Sequence, residues 1–341
     1  SEMCIRDSCY IGGFPSWIYK YTQHAGGKHE DVATEWEFSR IISAYNAFKD
    51  ADAIGLGALA NSSFWQHFPL QEKYPQKWVT HQELMDRGYL NRDGTINFQG
   101  RNFILFYVGD YDSSSWIAQT TPFLWDEPSR GEVPLMWSVS PVLAERVPMV
   151  MHNYRVTATP NDYFAAADNG AGYLMPGMLQ EPRSVSGLKS GLSAWAKHCS
   201  KYYQKWGLTI TGFVIDGEAP GLDSDGLDCY ASFSPNGIVP QKMPLTLLHN
   251  DMPVIRADYD IVDHDYRRAT DVIVERVEKR PVPFHWFRAI LKSPSWYKGI
   301  CDELKQRHTN IELLDAPTFF ELYRIYLKQH PDAAAGKITM N

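Results

Sequence analysis

Short apolar runs of strand length alternate along this chain with helix-length amphipathic stretches, and that alternation restricts the fold more than any single motif does. The runs expected as strands are residues 14–19, 53–58, 103–108, 135–139, 154–158, 209–215, 253–257 and 282–287. Helical stretches at 35–49, 113–123, 141–151, 186–206 and 265–278 fall between them, and 311–314 followed by 317–329 adds a further unit. Strand and helix repeated in this way predict parallel β/α units, and hence an α/β fold: a TIM-like (β/α)8 barrel of irregular strand count. Long polar connectors rich in Gly and Pro occupy 20–34, 61–101, 159–185 and 216–252. Nearly all follow the carboxy-terminal end of an expected strand, where a barrel builds its active face. Inside the second, Asn91-Arg92-Asp93-Gly94-Thr95 predicts a tight hairpin turn.

A length of 341 residues suits one large barrel domain, and no shift of composition marks a second. The apolar fraction of 44% and charged fraction of 21% are those of a globular protein, with no apolar run long enough to span a bilayer. A net charge of −7, with Arg267-Arg268 and Lys279-Arg280 as isolated basic pairs, leaves no footprint for nucleic acid. Residues 1–10 are set apart from the domain at 11–341, because Ser1 to Ser8 resemble a translated sequencing adapter rather than a natural amino terminus. With Cys4 set aside, Cys9, Cys199, Cys229 and Cys301 show neither metal-ligand spacing nor a dense disulfide pattern.

The chain is rich in aromatics, with 11 Trp, 19 Tyr and 16 Phe, many beside Pro, Asp or Asn rather than inside apolar runs. Pyranose faces pack on indole and phenol rings while their hydroxyls take amide, carboxylate and guanidinium partners, so this placement suits carbohydrate as well as core filling. Asn161-Asp162-Tyr163-Phe164 followed by Gly170-Ala171-Gly172-Tyr173-Leu174-Met175-Pro176 joins a polar pair to a shaped glycine turn. Trp116, Trp137 and Tyr173 are candidate sugar platforms, and Asn161, Asp162 and Asp258 are candidate hydroxyl partners at expected strand ends.

Glycosidic cleavage needs two carboxyl groups, one to protonate the leaving oxygen and one to act as nucleophile or to activate water. Asp110 and Asp112 end the apolar run 103–108, and Asp216 and Glu218 end the run 209–215 with Gly217 allowing a sharp turn between them. These four are the candidate catalytic acids. Helix capping by Asp112 and a structural cation shared by Asp110 and Asp112 are the competing readings of the first pair. Arg288 is placed to clamp a carboxylate, of the enzyme or of a uronic acid, and fits a structural ion pair equally well. Thr34 and Glu37 fit a capping box. No catalytic metal or cofactor is expected; Asp223-Ser224-Asp225-Gly226-Leu227-Asp228 is at most a structural calcium loop, and a solvated acidic loop fits it better. No zinc motif, P-loop, dinucleotide fingerprint or nucleophile elbow is present.

The glycine-tyrosine segment, with Gly13-Phe14-Pro15-Ser16-Trp17, Lys20-Tyr21-Thr22, Thr34-Glu35-Trp36, Tyr107-Val108-Gly109-Asp110-Tyr111-Asp112 and Trp137-Ser138-Val139-Ser140-Pro141, resembles the GxGYxYP glycoside hydrolase family from about residue 11 to 329. Met175 stands where the name-giving motif has its second tyrosine, and Tyr111 and Ser113 depart from a DGDN-like run. The resemblance implies a glycosidase acting on an oligo- or polysaccharide, with Trp17, Lys20, Glu35 and Trp36 lining the pocket; it carries no catalytic pair onto these residues. It also implies accessory domains ahead of this one, and a periplasmic, cell-surface or secreted location. Two other readings compete: a non-catalytic carbohydrate-binding barrel of a cell-surface protein, and a metal-assisted hydrolase or deacetylase using Asp110, Asp112 and His152 or His285.

Overall fold

A computed structural model describes residues 9–11, 34–49, 61–111, 113–217 and 219–336. The expected strands at 14–19 and 53–58, and the candidates Trp17, Lys20, Asp112 and Glu218, lie outside the described residues, as do the side chains of Glu35 and Asp110.

Among the described residues twelve strands run in chain order. They are β1 Cys9–Ile11, β2 Ala47–Lys49, β3 Asn102–Tyr111, β4 Leu135–Val139, β5 Asp162–Ala166, β6 Ile210–Val214, β7 Gly237–Pro240, β8 Leu248–His249, β9 Met252–Pro253, β10 Ala257–Ile261, β11 Phe284–Ile290 and β12 Ile311–Leu313. The main sheet is parallel throughout, in the order β10-β11-β3-β4-β5-β6-β7. Its two edges approach each other where Ile238 of β7 bridges Val254 and accepts a hydrogen bond from Ile255 N at 3.1 Å, just ahead of β10. The result is a nearly closed, barrel-like ring of seven strands. β12 pairs with residues 102–104 of β3, on the edge that β4 takes up further along at 107–111.

The pleat explains why these runs are apolar throughout. Phe103, Leu105 and Tyr107 join Met136, Ala165, Ile210, Phe284 and Trp286 inside the ring, while Ile104, Phe106 and Val108 face the surrounding helices, so both faces are buried. Helices Pro148–Val156, Leu192–Trp206, Ser224–Phe233, Tyr266–Glu278 and Pro294–Gln306 connect successive strands on the outside. Helix Ala316–Gln329 instead sends Phe319, Tyr323 and Tyr326 against Phe284, with ring centroids 5.3–5.6 Å apart, and plugs the amino-terminal mouth of the ring. No helix among the described residues is long and apolar enough to cross a membrane.

Several sequence expectations differ from the structure: the helix expected at 35–49 ends at Ser43 and gives way to β2, and the strand expected at 253–257 stops where β10 begins. Residues 154–158 were read as a strand from Val, Thr and Tyr, yet 154–156 end helix Pro148–Val156, because Met151 and Tyr154 supply a helical stripe to the core; the strand begins at Asp162. The Asp223 to Asp228 run forms the start of helix Ser224–Phe233, where Asp223 caps Gly226 N at 2.9 Å and Asp228 accepts from His249 and Asn250. Helix Pro294–Gln306, capped by Ser293, lies in a stretch the sequence reading assigned to no element. The 91–95 turn is as expected, with Asn91 N to Thr95 O at 2.8 Å.

Candidate active site

In a parallel ring the side chains leaving the carboxy-terminal strand ends converge on one mouth. Asp216 sits there, two residues past β6, and is fully buried. One carboxylate oxygen accepts from Lys242 N at 2.8 Å; the other has no hydrogen-bond partner. Gln241 fixes the turn from beneath, its Oε1 accepting from Asp216 N at 2.9 Å and Gly217 N at 3.1 Å. Burial pushes the carboxyl up to about 6, against the opposing pull of the Lys242 backbone hydrogen bond and charge. An acid in that state holds its proton up to about pH 6, well above the ordinary carboxylate range.

The glycine-tyrosine segment builds the wall next to this turn. Gly172 has φ +126°, and a Cβ on it would lie 2.3 Å from the Phe48 ring, so only glycine fits both the backbone and the packing. Lys49 and Tyr173 exchange backbone hydrogen bonds at 2.8 and 3.0 Å, and the Lys49 ammonium lies 4.2 Å from the Tyr173 ring centre. Asn169, buried with φ +72°, ties the segment to β6: its amide donates to Leu174 O and accepts from Ile215 N, the residue before Asp216. Gly217 has φ +49°, and a Cβ there would fall 2.3 Å from Met175 Cε and 3.4 Å from the Trp36 ring. The motif's Met175 therefore lies over the turn that carries Asp216, with Trp36 half-buried beside it.

The structure thus brings Asp216, Trp36 and the 169–175 segment together. Asp110 lies in the carboxy-terminal part of β3, at the same end of the sheet. Arg288 lies near the carboxy-terminal end of β11, donating to Asp260 Oδ2 at 2.9 Å with its guanidinium 5.2 Å from the Phe213 ring. Other candidates are elsewhere. Asn161 and Asp162 enter β5 at the opposite, amino-terminal end, because the strand starts after them rather than before. Trp137 is buried under the outer helices with its indole N–H given to Asp162, and Trp116 packs against the same layer. Asp258 pairs with Arg280 and accepts from Trp286 N at 2.8 Å, while Tyr173, although in the segment beside Asp216, is buried against Lys49 and offers no open platform. Glu37 pairs with Arg40. His152 bonds Tyr74 at 2.7 Å on an outer helix, and buried His285, its pKa lowered to about 3 by burial and by Arg280, lies beside Asp258. Among the described residues no three His, Cys, Asp or Glu side chains converge in a way that could hold a metal ion.

Sequence reasoning passed over Asn169, Gln241, and Ser138 and Ser140, whose buried hydroxyls at the end of β4 have no hydrogen-bond partner. Asn169 carried a signal as a polar residue directly before the glycine turn, and the two serines lie in the Trp137 to Pro141 stretch that resembles the family.

Residues 100–324 match the family described as "GxGYxYP putative glycoside hydrolase C-terminal domain". The chain belongs to this family. The matched span runs from the start of β3 into helix Ala316–Gln329 and contains the whole seven-stranded ring, so the ring is the GxGYxYP C-terminal domain. A crystal structure of a "putative hydrolase" from Bacteroides thetaiotaomicron superposes with a TM-score of 0.61 at 17% identity, over 94% of this chain and 57% of that one. The likeness extends to the fold, and this chain spans little more than half of that protein's length. A CE4 family pseudoenzyme from Bacillus anthracis aligns over 65% of this chain and 66% of its own, at 10% identity and a TM-score of 0.37. No curated protein sequence matches the chain.

Proposed function

We propose that this GxGYxYP domain hydrolyses glycosidic bonds of an oligo- or polysaccharide at the carboxy-terminal mouth of its ring, which works as the active face of a TIM-like barrel does, with Asp216 delivering the proton to the leaving oxygen. The observation that carries this reading is the Asp216 carboxyl: fully buried, satisfied on one oxygen only, and pushed up to about 6. Carboxylate glycosidases need one carboxyl that keeps its proton near neutrality and a second that does not.

Asp110 is the first choice for the second carboxylate. β4 and β5 stand between β3 and β6, so Asp110 and Asp216 leave the ring from well-separated strands, as groups flanking a bound sugar must. Asp112 and Glu218, each two residues further along, complete the set of acids. Trp36, beside the Asp216 turn, supplies an aromatic face for the sugar ring. In this mechanism Asp216 protonates the glycosidic oxygen as the C–O bond breaks, and the second carboxylate either attacks the anomeric carbon or takes a proton from the attacking water.

The test is incubation with plant, algal, mucin and bacterial glycans, followed by mass spectrometry of the products. New reducing ends that disappear in Asp216→Asn and Asp110→Asn are the expected result. Turnover unchanged in Asp216→Asn rules the assignment out.

A further inference from the structure

We infer that the amino-terminal end of the ring carries a second carbohydrate site, in a cleft of about 500 Å³ between the 75–79 segment, the turn into β5 and the start of helix Ala316–Gln329, and that this cleft holds a neutral glycan without cleaving it. The inference takes from the proposed function only the ligand class. The five residues of β5 separate this cleft from the Asp216 mouth by roughly 16 Å, at about 3.3 Å per residue, so the two are distinct places. Its volume lies within the range of small-molecule sites, about 300–1,000 Å³.

Three features identify the ligand chemistry. The first is a fixed aromatic platform. Trp78 is half-buried, its indole N–H is donated to Glu321 at 2.9 Å, and its ring stands edge-on to Tyr163 with centroids 6.4 Å apart. Little side-chain freedom is left to lose when a pyranose face packs on it.

The second is the state of the charges. Lys77 pairs with Glu83, Arg87 with Asp315 at 2.9 Å, and Arg130 closes on Asp162. Arg155 is spent on backbone carbonyls of Tyr74 and Pro75 at 2.9 and 3.2 Å. Asp86, the remaining charged side chain of the lining, takes the Gln82 amide at 2.7 Å, so an anionic ligand has to displace one of the partners that these cations already hold. A hydroxyl does not, because it donates to the carboxylate and accepts from the cation while the pair stays closed.

The third is Asn161, which gives one amide hydrogen to Gly131 O at 2.7 Å and keeps its carbonyl oxygen and second hydrogen for a ligand. These are the Asn161-Asp162 residues whose pairing with aromatics suggested carbohydrate in the sequence, and the Asp216 mouth makes no use of them.

The test is affinity electrophoresis of the wild type and of Asp216→Asn through gels containing soluble xylan, galactomannan, mixed-linkage glucan or starch, with polygalacturonate as the anionic comparison. Both proteins are expected to be retarded equally by at least one neutral polysaccharide. Trp78→Ala should weaken that retention tenfold or more. The rim variant Lys77→Ala, on an exposed side chain that leaves the Glu83 cap of the next helix in place, should weaken it about threefold; it decides the matter if circular dichroism shows Trp78→Ala unfolded. Retention by no neutral polysaccharide, by polygalacturonate alone, or to the same degree in the folded variants overturns the inference. Retention that depends on Trp78 in a protein that cleaves nothing would leave this site standing and remove the proposed catalysis.

Discussion

The two ends of the ring each bury an aspartate, and the two are built to opposite specifications. At the amino-terminal end the Asp162 carboxylate accepts from Trp137 Nε1, Thr159 N and Thr159 Oγ1 at 2.7–2.8 Å and is closed by Arg130. At the carboxy-terminal end Asp216 has a single donor, Lys242 N, and one oxygen with none. Burial is common to both; satisfaction is not. A carboxylate supplied with a cation and several donors acts as a joint, whereas one deprived of them, as Asp216 is, is driven toward its protonated form and acquires a use for the proton.

The comparison is tested most severely by removing the carboxylate at each end. Asp216→Asn should lower turnover of whatever glycan the wild type cleaves by up to about ten-thousandfold, the upper range for loss of a general acid, with little change in KM. Asp162→Ala should do the reverse: turnover per folded molecule within a few-fold of wild type, but a loss of about 3–5 kcal/mol in urea unfolding, because Arg130 is left buried without its partner. If both substitutions act on stability alone, the distinction between the two ends fails.

The pH dependence sharpens the contrast. Folding raises the Asp216 carboxyl from 3.8 to about 6, so the folded state binds the proton more tightly than the unfolded chain does. Its contribution to stability is therefore fully present below about pH 4 and is lost as pH rises through 6. At pH 8 Asp216→Asn should be more stable than wild type by up to about 3 kcal/mol, and the gap should close below pH 4. Turnover should fall along a basic limb near pH 6, read from kcat/KM profiles. A smaller effect is expected at Asn169: Asn169→Ala removes the tie between Leu174 O and Ile215 N and should cost about 1–3 kcal/mol, with a basic limb displaced from the wild-type position. An unmoved limb would mean that Asn169 braces the loop without setting the acid.

Four of the seven ring strands were legible because their two-sided burial writes continuous apolar runs: 103–108, 135–139, 209–215 and 282–287 all fall on strands, whereas β5 and β7 were missed and the run at 253–257 stops where β10 begins. Residues 154–158 misled because Tyr154 and Val156 have strand-forming side chains, and only the packing of Tyr154 beneath Ile117 reveals the helix. One misplaced strand then carried Asn161 and Asp162 to the wrong end of the sheet. Asp216 was legible as an acid following an apolar run. Its missing donor was not, since that depends on Lys242 and Gln241, some 25 residues away in sequence and adjacent only once β6 and β7 pair.

Among the described residues the ring closes without an eighth full strand. Between β7 and β10 the chain makes the small β8–β9 hairpin, and the contact of Ile238 with Val254 and Ile255 joins the two edges. Every other joint in the ring is a ladder between two named strands; this one is a clasp. A clasp fixes circumference with little enthalpy, so the bore of this barrel is governed by a short peptide stretch that can lengthen or shorten by a residue while the seven staves stay in register. Relatives of this chain could widen or narrow the mouth around Asp216 by editing that stretch alone.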